Sequence, residues 1–191
     1  APAAPRGDSY AQMLGWLAES RIDGQALTGA RGAITVNQAA GDLNLQSNAI
    51  GIASGTQARV SVASDSHAQG DLHDTPDSAR AVIGGGALGG ASGVATINQA
   101  SGSGNTQGNA VAVALAREGI RESSDEALAS AGPLASAGGQ VAGNGRPSSI
   151  RSVGVEATAL RGFEGVLQLN QIAGSGNATG NALSLSVQGG P

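Results

Sequence analysis

The sequence predicts a mainly β protein. Three strand–turn–strand repeats would stack into a cross-β or β-solenoid core, joined by long flexible linkers and preceded by a short N-terminal helix. Three observations carry this. One 21-residue pattern occurs three times without a gap, as AITVNQAAGDLNLQSNAIGIA, VATINQASGSGNTQGNAVAVA and VLQLNQIAGSGNATGNALSLS. Nine of the ten Asn fall at equivalent positions of that pattern. The composition is too poor in large side chains for an ordinary globular core: 32 Gly, 36 Ala and one each of Phe, Tyr and Trp in 191 residues. Ordering a residue costs about 1–2 kcal/mol, which cores normally offset with aromatic and large aliphatic burial.

The elements follow in order. Residues 1–32 form an N-terminal segment. Tyr10, Met13, Leu14 and Leu17 recur at i, i+3, i+4 and i+7, which predicts a helix over about residues 9–22. Asp8 or Ser9 would cap it and Asp23-Gly24 would end it. Its simplest role is to cover the end of a sheet; the alternative is recognition of a secretion or assembly partner. The opening Ala-Pro-Ala-Ala-Pro reads as the mature end left by signal-peptide removal, so export is expected.

The repeats occupy 33–53, 94–114 and 166–186. Side chains two apart share a strand face. Asn44, Gln46, Asn48, Ile50 and Ile52 therefore point one way, as do Asn105, Gln107, Asn109, Val111 and Val113. In the third repeat the set is Asn177, Thr179, Asn181, Leu183 and Leu185, with Thr179 replacing Gln. The opposite face is small: Ser47, Ala49 and Gly51 and their equivalents. In the first halves, Ile34, Val36 and Gln38 share a face, as do Ala95, Ile97 and Gln99, and Leu167, Leu169 and Gln171. Asn37, Asn98 and Asn170 precede those Gln residues. Gly41, Gly102 and Gly174 open the turn between the halves.

One such unit is too small to fold alone. If copies stack in register, each Asn and Gln meets its counterpart about 4.7–4.8 Å away, and the amides bond as ladders. The expected assembly ladder is thus Asn37, Gln38, Asn44, Gln46, Asn48, Asn98, Gln99, Asn105, Gln107, Asn109, Asn170, Gln171, Asn177, Thr179 and Asn181.

The segments between the repeats, 54–93 and 115–165, are Gly-, Ala- and Ser-rich and unequal, which predicts flexible linkers rather than a fixed-period solenoid. Arg59-Val60-Ser61-Val62 would extend the strand before it. Alternation at Val153, Val155, Ala157 and Ala159 is strand-like, and Glu118–Ala131 is weakly helical. Residues 187–191 form a short tail.

Other chemistry finds little support. The absence of Cys and Lys removes thiolate sites, disulfides, Schiff-base chemistry and the P-loop lysine. A net charge of −4 disfavours nucleic-acid binding. No apolar run has the length of a transmembrane segment. Gly84-Gly85-Gly86-Ala87-Leu88-Gly89 matches a dinucleotide fingerprint formally, but the loop continues where a helix should follow and no acid lies about 20 residues on. His67 and His73, among Asp65, Asp71 and Asp74, match no standard metal-ligand spacing and read as a polar loop. Asp125 and Glu126 lack an acid–base partner, no Gly-x-Ser-x-Gly elbow occurs, and Arg6-Gly7-Asp8 is a short chance match. No enzyme activity, metal or cofactor is expected.

The repeats resemble those of the Fap functional-amyloid proteins of pseudomonads, in which short Asn/Gln/Gly motifs are separated by long variable linkers. Val36-Asn37-Gln38-Ala39-Ala40-Gly41-Asp42 and Asn44-Leu45-Gln46-Ser47-Asn48-Ala49 carry the resemblance most clearly. Gly174-Ser175-Gly176-Asn177-Ala178 is also similar to curlin repeats, which follow one another at a shorter, regular period. The resemblance implies a protein exported through the periplasm to the biofilm matrix or cell surface, either a major or a minor, nucleating fibril subunit. Its implied partners are other copies of itself, other subunits and an outer-membrane export pore. The alternative is a periplasmic chaperone or accessory protein that binds subunits by β-pairing.

Overall fold

A computed structural model of the chain describes residues 17–64, 66, 76–117 and 150–188. Among the described residues, nine strands form three parallel, three-stranded sheets. The strands are β1 (Leu17–Ile22), β2 (Arg31–Ala40), β3 (Leu45–Gly55), β4 (Ser78–Ile83), β5 (Ser92–Ser101), β6 (Thr106–Ala116), β7 (Ile150–Val155), β8 (Glu164–Ala173) and β9 (Ala178–Gln188). Sheet 1 has the order β1-β4-β7, sheet 2 β2-β5-β8 and sheet 3 β3-β6-β9. Consecutive strands of the chain thus lie in different sheets. Each rung, 17–55, 78–116 or 150–188, crosses all three sheets once.

The rungs align without a slip. Asn37 pairs with Asn98 and Asn98 with Asn170 in sheet 2, while Asn48, Asn109 and Asn181 align in sheet 3. Sheet 2 lies between the other two. Its strands contact those of both neighbours, and strands of sheets 1 and 3 do not contact each other. Each face of sheet 2 therefore has its own filling. Towards sheet 1 lie Ile34 and Ile97, packed with Ile22, Ile83, Leu88 and Ala159 in the main hydrophobic cluster; Leu167, Leu169 and Phe163 border it. Towards sheet 3 lie the Asn residues.

Two turns shape each rung. The first, residues 23–30 in rung 1, tucks apolar side chains inward: Ala87, Leu88, Ala91 and Ala159 are fully buried. The second is the predicted Gly-x-x-Asn turn between β2 and β3 and its counterparts. There Gly102 has φ of 115°, and a Cβ on it would overlap the Gly174 carbonyl oxygen of the next rung. The left-handed conformation and the close rung spacing both require glycine at this position.

Several expectations are corrected. Residues 17–22 form strand β1, not the end of a helix. Burial there obeys period 2: Ala18, Ser20 and Ile22 are buried, and Leu17 is 57% exposed. Residues 9–16 of the expected helix, with Tyr10, Met13 and Leu14, lie outside the described residues. The flexible-linker reading fails for residues 78–93 and 150–165, which form the first strand and first turn of rungs 2 and 3 and the start of the next strand. Parallel pairing of β4 with β1 and of β7 with β4 orders them, so the folding unit is longer than the 21-residue motif. Gly84–Gly89 is one of these turns, and its Ala87 and Leu88 are core residues. Val153 and Val155 lie in β7, whereas Ala157 and Ala159 belong to the turn after it.

Arg59–Val62 does not prolong β3 as a strand. It crosses back over the small outer face of that strand. A Cβ on Gly51 would lie 2.6 Å from the Cγ2 atoms of both Val60 and Val62, and the Ser47 and Ser64 hydroxyls are 2.8 Å apart. Glu118–Ala131 with Asp125 and Glu126, the tract from His67 to Asp74 with Asp65, and Arg6-Gly7-Asp8 lie outside the described residues.

Candidate functional site

The positions singled out in the sequence line the interior and run through all three rungs. Parallel in-register pairing places identical amides one strand spacing apart, which brings side-chain N–H and C=O groups within bonding range. In the column facing sheet 1, Gln99 Nε2 donates to Gln38 Oε1 at 3.1 Å, and Gln171 Nε2 donates to Gln99 Oε1 at 2.8 Å. Gln99 also donates to the Ser20 and Val82 carbonyls, both at 2.9 Å, and so ties sheet 2 to sheet 1.

Between sheets 2 and 3 two Asn columns interlock. Asn98 Nδ2 donates to Asn37 Oδ1 at 3.1 Å and Asn170 Nδ2 to Asn98 Oδ1 at 3.0 Å. Asn109 Nδ2 donates to Asn48 Oδ1 at 2.9 Å and Asn181 Nδ2 to Asn109 Oδ1 at 3.1 Å. Within each rung the columns are bridged: Asn48 to Asn37 at 2.7 Å, Asn109 to Asn98 at 2.9 Å and Asn181 to Asn170 at 2.8 Å. A fourth column closes the turn, with Asn105 Nδ2 donating to Asn44 Oδ1 at 2.9 Å and Asn177 Nδ2 to Asn105 Oδ1 at 3.0 Å. Asn44 and Asn105 also donate to the carbonyls of Gly102 and Gly174, at 2.7 and 2.9 Å.

These amides are deeply placed. Asn98, Gln99, Asn105, Gln107 and Asn109 of rung 2 are fully buried. Buried polar groups are tolerated when their hydrogen bonds are made, and a satisfied network in low dielectric specifies one packing.

The fifth column is broken. Gln46 Nε2 donates to Gln107 Oε1 at 2.6 Å, against the direction of the others. In rung 3 the position is Thr179, whose buried hydroxyl has no hydrogen-bond partner. A Thr side chain is too short to continue an amide ladder.

The remaining eight ladder steps all donate from the later rung to the earlier one. The stack is therefore polar. Gln171 Oε1, Asn177 Oδ1 and Asn181 Oδ1 accept no hydrogen bond among the described residues, so rung 3 presents amide acceptors. Rung 1 ends the ladders on the side of the amide donors. Among the described residues, β1, β2 and β3 pair with rung 2 on one side alone, and β7, β8 and β9 on the other, so both edges carry a row of backbone groups that no described strand pairs.

The sequence missed half of each rung. The signal was present: Ala-Leu-x-Gly occurs at 26–29, 87–90 and 159–162, each time 11 residues before the Asn of the Asn-Gln pair. Its alignment across rungs marks the first turn as part of the repeat.

Among the described residues, no group of three or more His, Asp or Glu side chains is placed to hold a metal ion, and no helix is long and apolar enough to cross a membrane. The searches found no matching curated protein and no matching solved structure. One family model matches residues 3–188, nearly the whole chain: the chain belongs to the functional amyloid protein FapB/FapC family.

Proposed function

We propose that this chain is an exported fibril subunit of a biofilm matrix that assembles by stacking the rung-3 edge of one copy on the rung-1 edge of the next. The observation that carries this reading is the pair of unlike open edges, one ending in amide donors and the other in acceptors. An interface between two different patches does not close on itself, and repeated addition gives a filament. The assembly ladder is the set from Asn37 to Asn181 named above, continued across each junction. Stacking in this way buries the three exposed strands of each edge and extends the main hydrophobic cluster from one copy into the next.

The test is assembly of the purified full-length chain, alone and with a candidate major subunit. A fibril subunit forms thioflavin-positive fibres with a meridional reflection near 4.7–4.8 Å. Persistence as a soluble monomer through prolonged seeded incubation sinks the reading. Suppression of a partner's fibre growth at substoichiometric amounts would instead assign a chaperone role.

A further inference from the structure

One column of the stack carries opposite charges at the two open edges. Arg31, Ser92 and Glu164 occupy one column at the start of sheet 2. Arg31 and Glu164 are exposed, and among the described residues the one ion pair joins two other side chains, Arg21 and Asp23. Within one molecule the small Ser92 lies between them, so guanidinium and carboxylate stand two rungs apart, about 9–10 Å. Across a junction of the kind proposed above, the same column places Glu164 of one copy a single strand spacing from Arg31 of the next.

Resting on that stacked assembly, we infer that Glu164 of one copy and Arg31 of the next form an ion pair that sets the direction and register of addition. The partner is a second copy of this chain, and charge complementarity identifies it. Opposite charges directly across a strand pair attract, and like charges repel. Docking of two rung-1 edges brings donor ends together, and docking of two rung-3 edges brings acceptor ends together. A one-residue slip moves Glu164 away from Arg31 and turns every side chain to the wrong face.

One other column carries charge on both edges: Asp23, Gly84 and Glu156, aligned one residue beyond the paired strands β1, β4 and β7. It brings two carboxylates together at the junction. Arg21 offsets them, because its Nε donates to Asp23 Oδ2 at 2.7 Å and it lies within electrostatic reach of Glu156. Among the described residues neither Arg31 nor Glu164 makes an ion pair, so their attraction is available to the incoming copy.

The test is seeded elongation of the full-length chain at low salt, followed by thioflavin fluorescence. Arg31→Glu and Glu164→Arg each slow elongation on their own seeds about fivefold. The double variant R31E/E164R keeps the net charge at −4 and returns to within about twofold of wild type. An equimolar mixture of the two single variants elongates faster than either alone, because alternating copies restore an opposite-charge pair at every junction. These differences collapse at about 1 M salt, where the screening length is about 3 Å. Wild-type rates for both single variants, or a double variant as slow as they are, overturn the ion pair while the fibres formed leave stacked assembly standing. A wild-type chain that never forms fibres overturns the assembly, and the pair with it.

Discussion

Replacing Asn98 and Asn37 separately with Ala tests whether the amide ladders act as a continuous stack. The two residues are chemically equivalent and differ only in rung. Asn98 Nδ2 donates to Asn37 Oδ1 at 3.1 Å, to the Ser47 carbonyl at 2.8 Å and to Asn48 Oδ1 at 3.1 Å, and Asn98 Oδ1 accepts from Asn109 at 2.9 Å and Asn170 at 3.0 Å. The residue is fully buried. Asn37 accepts two bonds, from Asn48 and Asn98, and sits at the open edge where water can replace what is lost. At about 0.5–1.5 kcal/mol per hydrogen bond, with buried partners left unsatisfied, Asn98→Ala costs about 3–5 kcal/mol and Asn37→Ala about 1. Urea unfolding of the monomer, followed by far-UV circular dichroism, measures both. In fibres the gap narrows, because the next copy covers Asn37 and makes its rung interior; guanidinium dissociation of preformed fibres reads that. Equal costs in the monomer would refute the ladder argument, and an undiminished gap in fibres would refute continuation across the junction.

Three further outcomes follow from individual residues. Gly102→Ala places a Cβ against the Gly174 carbonyl oxygen at φ of 115° and destabilises the monomer by at least about 2 kcal/mol, whereas Gly24→Ala, at φ of 70° with open space around it, costs only about 1 by thermal unfolding. Thr179→Gln gives the broken column an amide able to donate to Gln107, and raises the urea midpoint by the equivalent of about 1 kcal/mol. The backbone N–H of Gly24 and the Arg21 guanidinium hold the Asp23 carboxyl below the usual carboxylate range. Its contribution to stability is therefore present above about pH 4 and lost as pH falls through its lowered value; Asp23→Asn flattens that part of the stability–pH curve.

Much of the site was legible because the ladder residues carry their own signal. An amide column works only if the same residue recurs in every rung, so nine Asn at matching positions announce the register. The interior faces of β2 and β3 were legible for the same reason, since Asn48 and Ile50 obey period 2 through the whole motif. Strands β1, β4 and β7 were not. Their sequences, LAESRI, SARAVI and IRSVGV, share little, because most outward positions of this outer sheet are exposed and the alternate, inward positions carry the constraint. Tyr10, Met13, Leu14 and Leu17 suggested a helical face, and the mistake at Leu17 has a physical cause. A six-residue strand has too few apolar residues to show its period, and β1 gains its order from pairing along its length with β4.

By itself the sequence determined the composition of the interior, the three-fold repetition, the alignment of the amides and the turn after β2. Those properties depend on residues in one rung and their copies, and such dependence survives in a linear pattern. The tertiary structure alone decided that each rung has three strands, that sheet 2 is buried on both faces, and that the ladders run with one polarity. These depend on contacts between β1 and β4, or between an amide and a carbonyl 79 residues away, as for Gln99 and Ser20. No local spacing records such contacts. Parallel stacking brings them together, and it leaves a donor edge and an acceptor edge at opposite ends of the molecule.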